Sequence, residues 1–480
     1  IAADGTVFVQ YDYNRTTNAQ ILFARFTEAD VLAGAFQSAG SGTKLIIKDT
    51  NGIKGHPASV PEGAAFSGSG TQADPYKIST AKEWNYLANS VNNGTTYQGK
   101  YFEQTVDIDF GGANIQPVGF YLQGGSHKRA FMGHYDGKNH KMTNFTQDAQ
   151  ELYSRGLFGY VTAGSVKNLV VENALLRGNT NTGAIVGFAN GSASNKIEIS
   201  GCKTANNVSV IAYVQVGGIV GRAVGYVSIL NCENNASVSI PFSHAGAQIQ
   251  LGGIAGYIEN NITIRSCVNN GLVSLRHGVN SYVGGICSNG KNCVIDKCVN
   301  NGDIVIDTNA SDLYVGGIAG WNTAVTVTNC NTTGNITADG LAVMQIGGVI
   351  GYFGKDDSVG NVIENCIAQG DITVTAFGQA SEISVGGIIG RGSGKSTDTT
   401  SRVRYTVFTG KVSVTNGGSN TRVGSFMGYY VGTKTAFEYN YAAHGVVSVG
   451  GSKTATDYTL YCIVNEDIAL SQVDYIRSKQ

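Results

Sequence analysis

Short runs of alternating apolar and polar residues recur along most of the chain, and turns rich in Gly and Asn separate them. One six-residue stretch, Val216-Gly-Gly-Ile-Val-Gly221, keeps returning. It comes back as Leu251-Gly-Gly-Ile-Ala-Gly256, Val283-Gly-Gly-Ile-Cys-Ser288, Val315-Gly-Gly-Ile-Ala-Gly320, Ile346-Gly-Gly-Val-Ile-Gly351 and Val385-Gly-Gly-Ile-Ile-Gly390. Weaker copies end at Gly159, Gly187 and Gly428. Successive copies end 28, 34, 35, 32, 32, 31, 39 and 38 residues apart. A period of this kind marks stacked repeats. Each full unit holds three strand-like runs, for example Val216–Val220, Val227–Asn231 and Ala236–Ile240. Three short strands and three turns make one coil of a parallel β-helix. A four-stranded propeller blade of ~40–45 residues fits less well, because regularly spaced two-residue hairpin signals are missing. The pattern therefore predicts an all-β parallel β-helix solenoid with about 30–39 residues per coil.

The flanks break the period. Residues 1–66 read as a small β-rich region, with strands at Thr6–Tyr13, Ile21–Phe26 and Lys44–Lys48 and a helical turn from Thr27. Phe66-Ser-Gly-Ser-Gly-Thr71 reads as a hinge. Residues 67–130 form a lead-in and capping segment. In it Asp74–Ile78 is a strand, and a helix capped by Ser79 or Thr80 presents Trp84, Leu87, Ala88 and Val91 on one face. The regular repeats occupy 131–450. Residues 451–480 hold a last strand and a helix whose apolar face is Ile468, Leu470, Val473 and Ile476, expected to cap the far end.

Six of the nine cysteines (Cys202, Cys232, Cys267, Cys298, Cys330 and Cys366) are 30, 35, 31, 32 and 36 residues apart, so they keep step with the repeat. Equivalent residues of stacked coils lie ~4.8 Å apart with parallel Cβ directions. A disulfide needs Cβ atoms ~3.8 Å apart and turned toward each other. The column is therefore expected to be a buried ladder of thiols, with Cys287, Cys293 and Cys462 outside it. Aligning Gly370, Gly410 and Gly445 puts Thr406 and Tyr441 at the ladder's later positions. Asn at the turns, as in Val268-Asn-Asn-Gly271, is expected to stack along the axis.

The copies of [VIL]-Gly-Gly-[IV]-x-Gly resemble the GLUG motif of bacterial surface proteins. Arg155-Gly-Leu-Phe-Gly-Tyr-Val, the Asp136-Gly turn and Asp74-Pro-Tyr-Lys-Ile78 are similar to other parts of those proteins. The resemblance covers roughly residues 67–450. It implies a right-handed coil, export, and often an adhesin-like role. Some bearers are large surface peptidases in which the repeat accompanies a separate catalytic domain. No catalytic residue carries over.

Charged residues make up 14 % of the 480, and the net charge is −1, so no long-range field draws nucleic acid. No apolar run is long enough to cross a bilayer. Gly390-Arg-Gly-Ser-Gly-Lys-Ser-Thr397 lacks the first Gly of a phosphate loop and the helix that must follow. His127, His134, His140 and Asp136 match no common zinc spacing. Asp107 and Asp109 are expected to serve turn-side hydrogen bonds rather than glycoside cleavage.

Two surfaces remain as binding candidates. Later coils carry extra residues just after the marker: the count from the first marker Gly to the ladder is 14 from 316 to 330, but 19 and 20 from 347 and 386. Insertions at one place in a solenoid map to one face. That face would show Lys355, Asp356, Asp357, Arg391, Lys395, Asp398, Arg402, Tyr429, Tyr430 and Lys434. The other candidate is the column just before the marker: Gln215, Gln250, Tyr282, Tyr314 and Gln345, continuing through Ser384 and Arg422. It is expected to point outward as a flat strip. The reading is an exported or cell-surface, adhesin-like protein that binds a host or matrix glycan or glycoprotein. It is expected to be a monomer, with no catalysis, cofactor, metal or nucleic acid. The alternatives are a polysaccharide lyase or hydrolase on the same scaffold, and a structural stalk or accessory region.

Overall fold

The computed structural model describes residues 6–13, 20–27, 66–122, 128–148, 153–241, 248–276, 278–308, 311–340, 343–354, 360–376, 382–394, 401–416, 420–432, 435–444, 448–449 and 462–480. The chain falls into two compact units, Ile1–Ala64 and Ala65–Gln480. In the first, Thr6–Tyr13 pairs antiparallel with Gln20–Thr27. The expected strand at Lys44–Lys48 and the helical turn after Thr27 lie outside the described residues.

The second unit is a parallel β-solenoid of about nine turns. Its first sheet has nine parallel strands, one per coil, from Ser154–Arg155 to Thr421–Gly424. The second and third sheets receive two short strands in most coils, merged into one in others, as in Ala255–Arg265, Cys287–Asp296 and Ala319–Thr328. In one coil with separate strands these are Val220–Val224 and Val227–Leu230, then Glu233–Asn234 and Ser237–Ile240. Five short strands thus replace the three expected runs there. Apolar alternation marks inside and outside without marking bends, so it predicts the repeat but not its corners.

The marker itself is a corner. Gln215–Gly217 ends a first-sheet strand and Val220 begins a second-sheet strand. A methyl carbon placed on Gly217 would lie 2.3 Å from Val220 O and 2.6 Å from Gly256 N. One placed on Gly285 would lie 2.2 Å from Gly317 O and 2.3 Å from Asn300 Cγ. Only glycine leaves room for two strands to turn so closely on each other and on the next coil. The corner main chain is paired from coil to coil, as in Gly218 N to Gly253 O at 3.1 Å and Ile219 N to Ile254 O at 3.0 Å. Val216, Ile219 and Val220 face the core and are fully buried.

A second corner, between the second and third sheets, carries the ladders. Its residues Asn168, Gly201, Asn231, Ser266, Lys297, Asn329, Asn365, Tyr405 and Tyr439 all have φ between 52° and 63°. The next residue is the ladder position. All six ladder thiols are buried, and each points at a main-chain carbonyl of the preceding coil, as Cys298 Sγ does to Ile264 O at 3.6 Å. Burial pushes the Cys298 and Cys330 thiols well above their usual range. The register Val407↔Tyr441 and Tyr441↔Ile463 continues the ladder from Thr406 to Asn440 and then Cys462. This corrects two expectations: Asn440, not Tyr441, follows Thr406, and Cys462 belongs to the column. Thr406 Oγ1 donates to Asn440 Oδ1 at 2.9 Å, so a hydroxyl and an amide replace two thiols there.

Two residues further, the asparagines stack as expected. Thr204 Oγ1 donates to Asn234 Oδ1 (2.7 Å), Asn234 Nδ2 to Asn269 Oδ1 (2.8 Å), and Asn269 Nδ2 to Asn300 Oδ1 (2.8 Å). The three amides are fully buried. Each also bonds the carbonyl two residues on in its own turn, as Asn269 Nδ2 does to Gly271 O at 3.0 Å. A buried amide without such partners would cost about 1–3 kcal/mol.

Helix α1, Ala81–Asn92, buries Trp84, Leu87, Ala88 and Val91 as expected. Thr80 is its N-cap, and Glu83 accepts from Ser79 N at 2.7 Å. Trp84 meets Tyr135 and Phe158 edge-on and covers the first coils' core. The stretch Phe66–Thr71 is no hinge. Phe66 packs against Tyr76, Tyr86 and Phe102, and Ser67 O accepts from Lys77 N. Helix α2, Glu466–Lys479, does not cap the far end. It buries Ala469, Val473 and Ile476 against Ile367, Val407 and Ala443 along the flank. Gln480 just beyond it bonds Asn331 and Asn365 O. Ile468 and Leu470, expected on the packed face, are exposed. The buried set runs at i, i+4 and i+7 through Ala469, where a small residue brings the helix close.

Three outcomes follow. Gly285→Ala should cost about 3 kcal/mol or prevent folding, whereas Lys297→Gly should raise stability by about 1 kcal/mol by relieving a left-handed residue. Thermal unfolding of both variants checks this. Asn322 is fully buried, and neither amide atom has a partner; Asn322→Leu should therefore stabilise by about 1–3 kcal/mol in the same assay. A water-soluble thiol reagent should reach no more than Cys462 in the native protein at pH 8 and all nine cysteines after unfolding. Rapid native labelling of several thiols would contradict the buried ladder.

Candidate functional site

The residues on either side of the marker face outward from two adjacent sheets, and the glycine corner folds them toward each other. Before the marker, the first-sheet column runs Gln215, Gln250, Tyr282, Tyr314, Gln345, Ser384 and Arg422 in register. After it, the second-sheet column runs Phe188, Arg222, Tyr257, Asn289, Trp321, Tyr352, Arg391 and Tyr429. The columns touch. Tyr282 stacks on Trp321 with centroids 5.8 Å apart, Tyr314 meets Tyr352 at 5.8 Å, and Arg422 lies 3.8 Å over the Tyr429 ring. Outward side chains of neighbouring sheets meet only where the corner is concave. The site is thus a groove along the solenoid axis, not the flat strip expected from alternation. Gln250, Gln345, Ser384, Asn289 and the Phe188 ring sit buried, while the tyrosines from Tyr257 on, Trp321 and the arginines are half-buried.

The rings lie face to face along the axis: Tyr282 on Trp321 and Trp321 on Tyr352 at 6.2 Å, both tilted by 22°. Their faces serve the stack. What the stack turns to solvent is an edge of hydroxyls and the indole N–H. Amides extend the row, with Gln248 Nε2 donating to Tyr282 OH at 2.6 Å and Gln215 Nε2 donating to Gln250 Oε1. Burial raises the phenol pKa of Tyr314 to about 12 and also raises that of Tyr282, so both hydroxyls keep their protons. Seven coils from Arg222 to Tyr429 give the groove a length of ~29 Å at ~4.8 Å per coil. At the other end, Tyr121 packs on Tyr160 and Phe188. Its antiparallel pair, Phe120–Tyr121 with Lys128–Arg129, covers those first two rings. A shallow cleft of about 450 Å³ beside Lys128 and Arg129 touches the stripe only at Tyr160.

The loop-face candidates do not stay together. Arg391 and Tyr429 belong to the groove. Tyr430 takes the next position, in the inward column with Phe353 and Gly392, and packs on the core. Arg402 is outward on the second sheet's other strand, where it and Arg404 both bond Glu364 Oε1. Lys355, Asp356, Asp357, Lys395, Asp398 and Lys434 lie outside the described residues. The second column was missed although its signal is plain: it is always the residue immediately after the marker, and nine copies give Tyr, Phe, Arg, Tyr, Asn, Trp, Tyr, Arg and Tyr.

Two carboxylates near the groove are committed. Glu259 accepts from Tyr257 OH at 2.8 Å, and Glu382 accepts from Arg391 and Arg422 at 2.9 and 3.0 Å. Elsewhere, Asp107 accepts from Lys141 N and Asp109 from Gly111 N, which holds both carboxyls below their usual range. Neither is set up as a general acid at neutral pH. Ile389–Ser393 is a second-sheet strand, not a phosphate loop. His134 stacks on Tyr101 and bonds Ser165, His140 bonds Asp107, and His127 lies outside the described residues. Among the described residues no three His, Cys, Asp or Glu side chains group as a metal site, and no helix is long and apolar enough to cross a membrane.

No family model matches the chain. It is similar to a halomucin of Haloquadratum walsbyi, 28 % identical over 168 residues, which is 33 % of this chain and 2 % of that protein. It is also similar to a protein of Evansella cellulosilytica described as a candidate Gly-rich membrane protein, 27 % identical over 163 residues, 34 % of this chain and 17 % of that one. The chain thus spans only a small part of either relative's length. A solved structure from Bacteroides ovatus, described as a candidate immunoglobulin A1 protease, overlaps 85 % of this chain and 89 % of its own at 17 % identity and a TM-score of 0.36. No functional residue is carried over from any of them.

Proposed function

We propose that this chain is part of an exported cell-surface protein that binds an extended glycan of a host or matrix along the concave groove, without catalysis. The observation behind this reading is the continuity of the groove. Amides, hydroxyls, an indole and guanidinium groups line seven consecutive coils on a glycine corner whose main chain is already paired. A polymer lying parallel to the axis meets a similar row of hydrogen-bonding edges at every coil. A peptide has no free strand edge to join there, so recognition rests on side chains, which suits sugar hydroxyls. One relative is described as a membrane protein, and the marker resembles the GLUG motif; both favour a place at the cell boundary. The second reading is a stalk, in which the rings only seal the corner and Tyr282, Trp321 and Tyr352 hold each other in place.

A glycan array with the purified chain separates the two. The proposal expects binding to polysaccharides, and Trp321→Ala with Tyr352→Ala should weaken it at least about tenfold while circular dichroism stays unchanged. Absence of binding to every polysaccharide and matrix glycoprotein would favour the stalk.

A further inference from the structure

We infer that the groove selects an acidic polysaccharide, one carrying carboxylate or sulfate groups, through arginine stations at its two ends. This rests on the groove reading above and names the ligand's chemistry. At one end, the Arg222 guanidinium lies between two rings, 4.9 Å from the Phe188 centroid and 5.2 Å from that of Tyr257. Among the described residues it has no ion-pair partner, and its Nε is buried without a hydrogen bond. At the other end, Arg391 and Arg422 both lie against Tyr429, at 5.3 and 3.8 Å, and share the single carboxylate Glu382. Their side chains remain 26 % and 28 % exposed, and Arg391 Nε also lacks a partner.

A guanidinium held against aromatic rings is fixed in place, and its planar fork of N–H donors can meet a carboxylate or sulfate through two hydrogen bonds. Arg391 and Arg422 share one carboxylate and Arg222 has none at ion-pair distance, so positive charge is local to the two stations, while Glu259 is held by Tyr257 OH and Asp312 stands between them. The groove is not uniformly positive. Asp312 lies near Tyr282 and Tyr314. A polyanion is therefore met at two places, five coils or ~24 Å apart, rather than held by a general field. Neutral hydrogen-bonding edges lie between, where Tyr282, Tyr314, Trp321 and Tyr352 stand. A ligand with acidic groups at intervals along a hydroxyl-rich chain fits both parts.

The test is titration calorimetry of the purified chain with polygalacturonate, a sulfated galactan, neutral dextran and poly-glutamate. The expected result is binding of an acidic polysaccharide at least about tenfold tighter than of dextran or poly-glutamate, weakening as salt is raised. Arg222→Gln and the pair Arg391→Gln with Arg422→Gln should each remove about tenfold. Arg222→Lys, which keeps the charge and loses the planar fork of donors, should recover only part of it. Thermal unfolding confirms that the variants fold. Equal binding of dextran, lost in Trp321→Ala but untouched in the arginine variants, would overturn the acidic selection and leave the groove reading standing. Equal binding of poly-glutamate would show that charge alone is read and would overturn it as well. If no polymer binds, both readings fall.

Discussion

At the marker corner the chain turns so tightly that a single added carbon would sit within 2.3 Å of main-chain oxygen. The rest of the molecule depends on this steric limit. It lets the outer faces of two sheets close on each other and so creates a groove on what would otherwise be a convex rod. It also explains why the same three positions remain small in all six full copies of the marker. In Val283-Gly-Gly-Ile-Cys-Ser288 the last place is taken by Ser, whose hydroxyl donates to Gly256 O. The exception therefore keeps the close approach and adds a bond across it.

Inside, polar atoms are tolerated because the translation from coil to coil supplies their partners. An isolated buried asparagine is a liability; one with a copy above and below is satisfied by the repeat itself. The thiols act as small apolar groups that direct a weak donor at a carbonyl. Where the repeat loses its thiols, Thr406 and Asn440 make a proper hydrogen bond instead. Asn322 shows the converse. Its column neighbours are Gly290 and Phe353, neither of which offers a partner.

Much of this was legible in the residues alone. The coil, the cysteine column, the stacked amides and the buried face of α1 all follow from periodicity, and periodicity is what a single sequence displays best. Curvature is not periodic. Alternation places Tyr282 and Trp321 outside but cannot say that one faces the other, so the groove appeared as a flat strip and its second wall went unread. The end of the ladder is not legible: its coil still carries the marker copy ending at Gly428, but the turn after the ladder changes length, so counting back from Gly445 gives Tyr441 instead of Asn440 and leaves Cys462 out. The packed face of the C-terminal helix is not legible because Ala469, a weak hydrophobe by size, decides how closely it packs.

That helix changes how the rod should carry load. In a solenoid each coil touches only its neighbours, so an end under tension frays one coil at a time. Helix α2 runs back along the flank, from Asn465 beside Ala442 to Gln480 at Asn331. Its residues bridge the coils that contain Asn331, Ile367, Val407 and Tyr441. Force applied beyond α2 must shear it off several coils at once before any single coil can open. The rod would then resist pulling from that side with one cooperative break rather than a series of small yields.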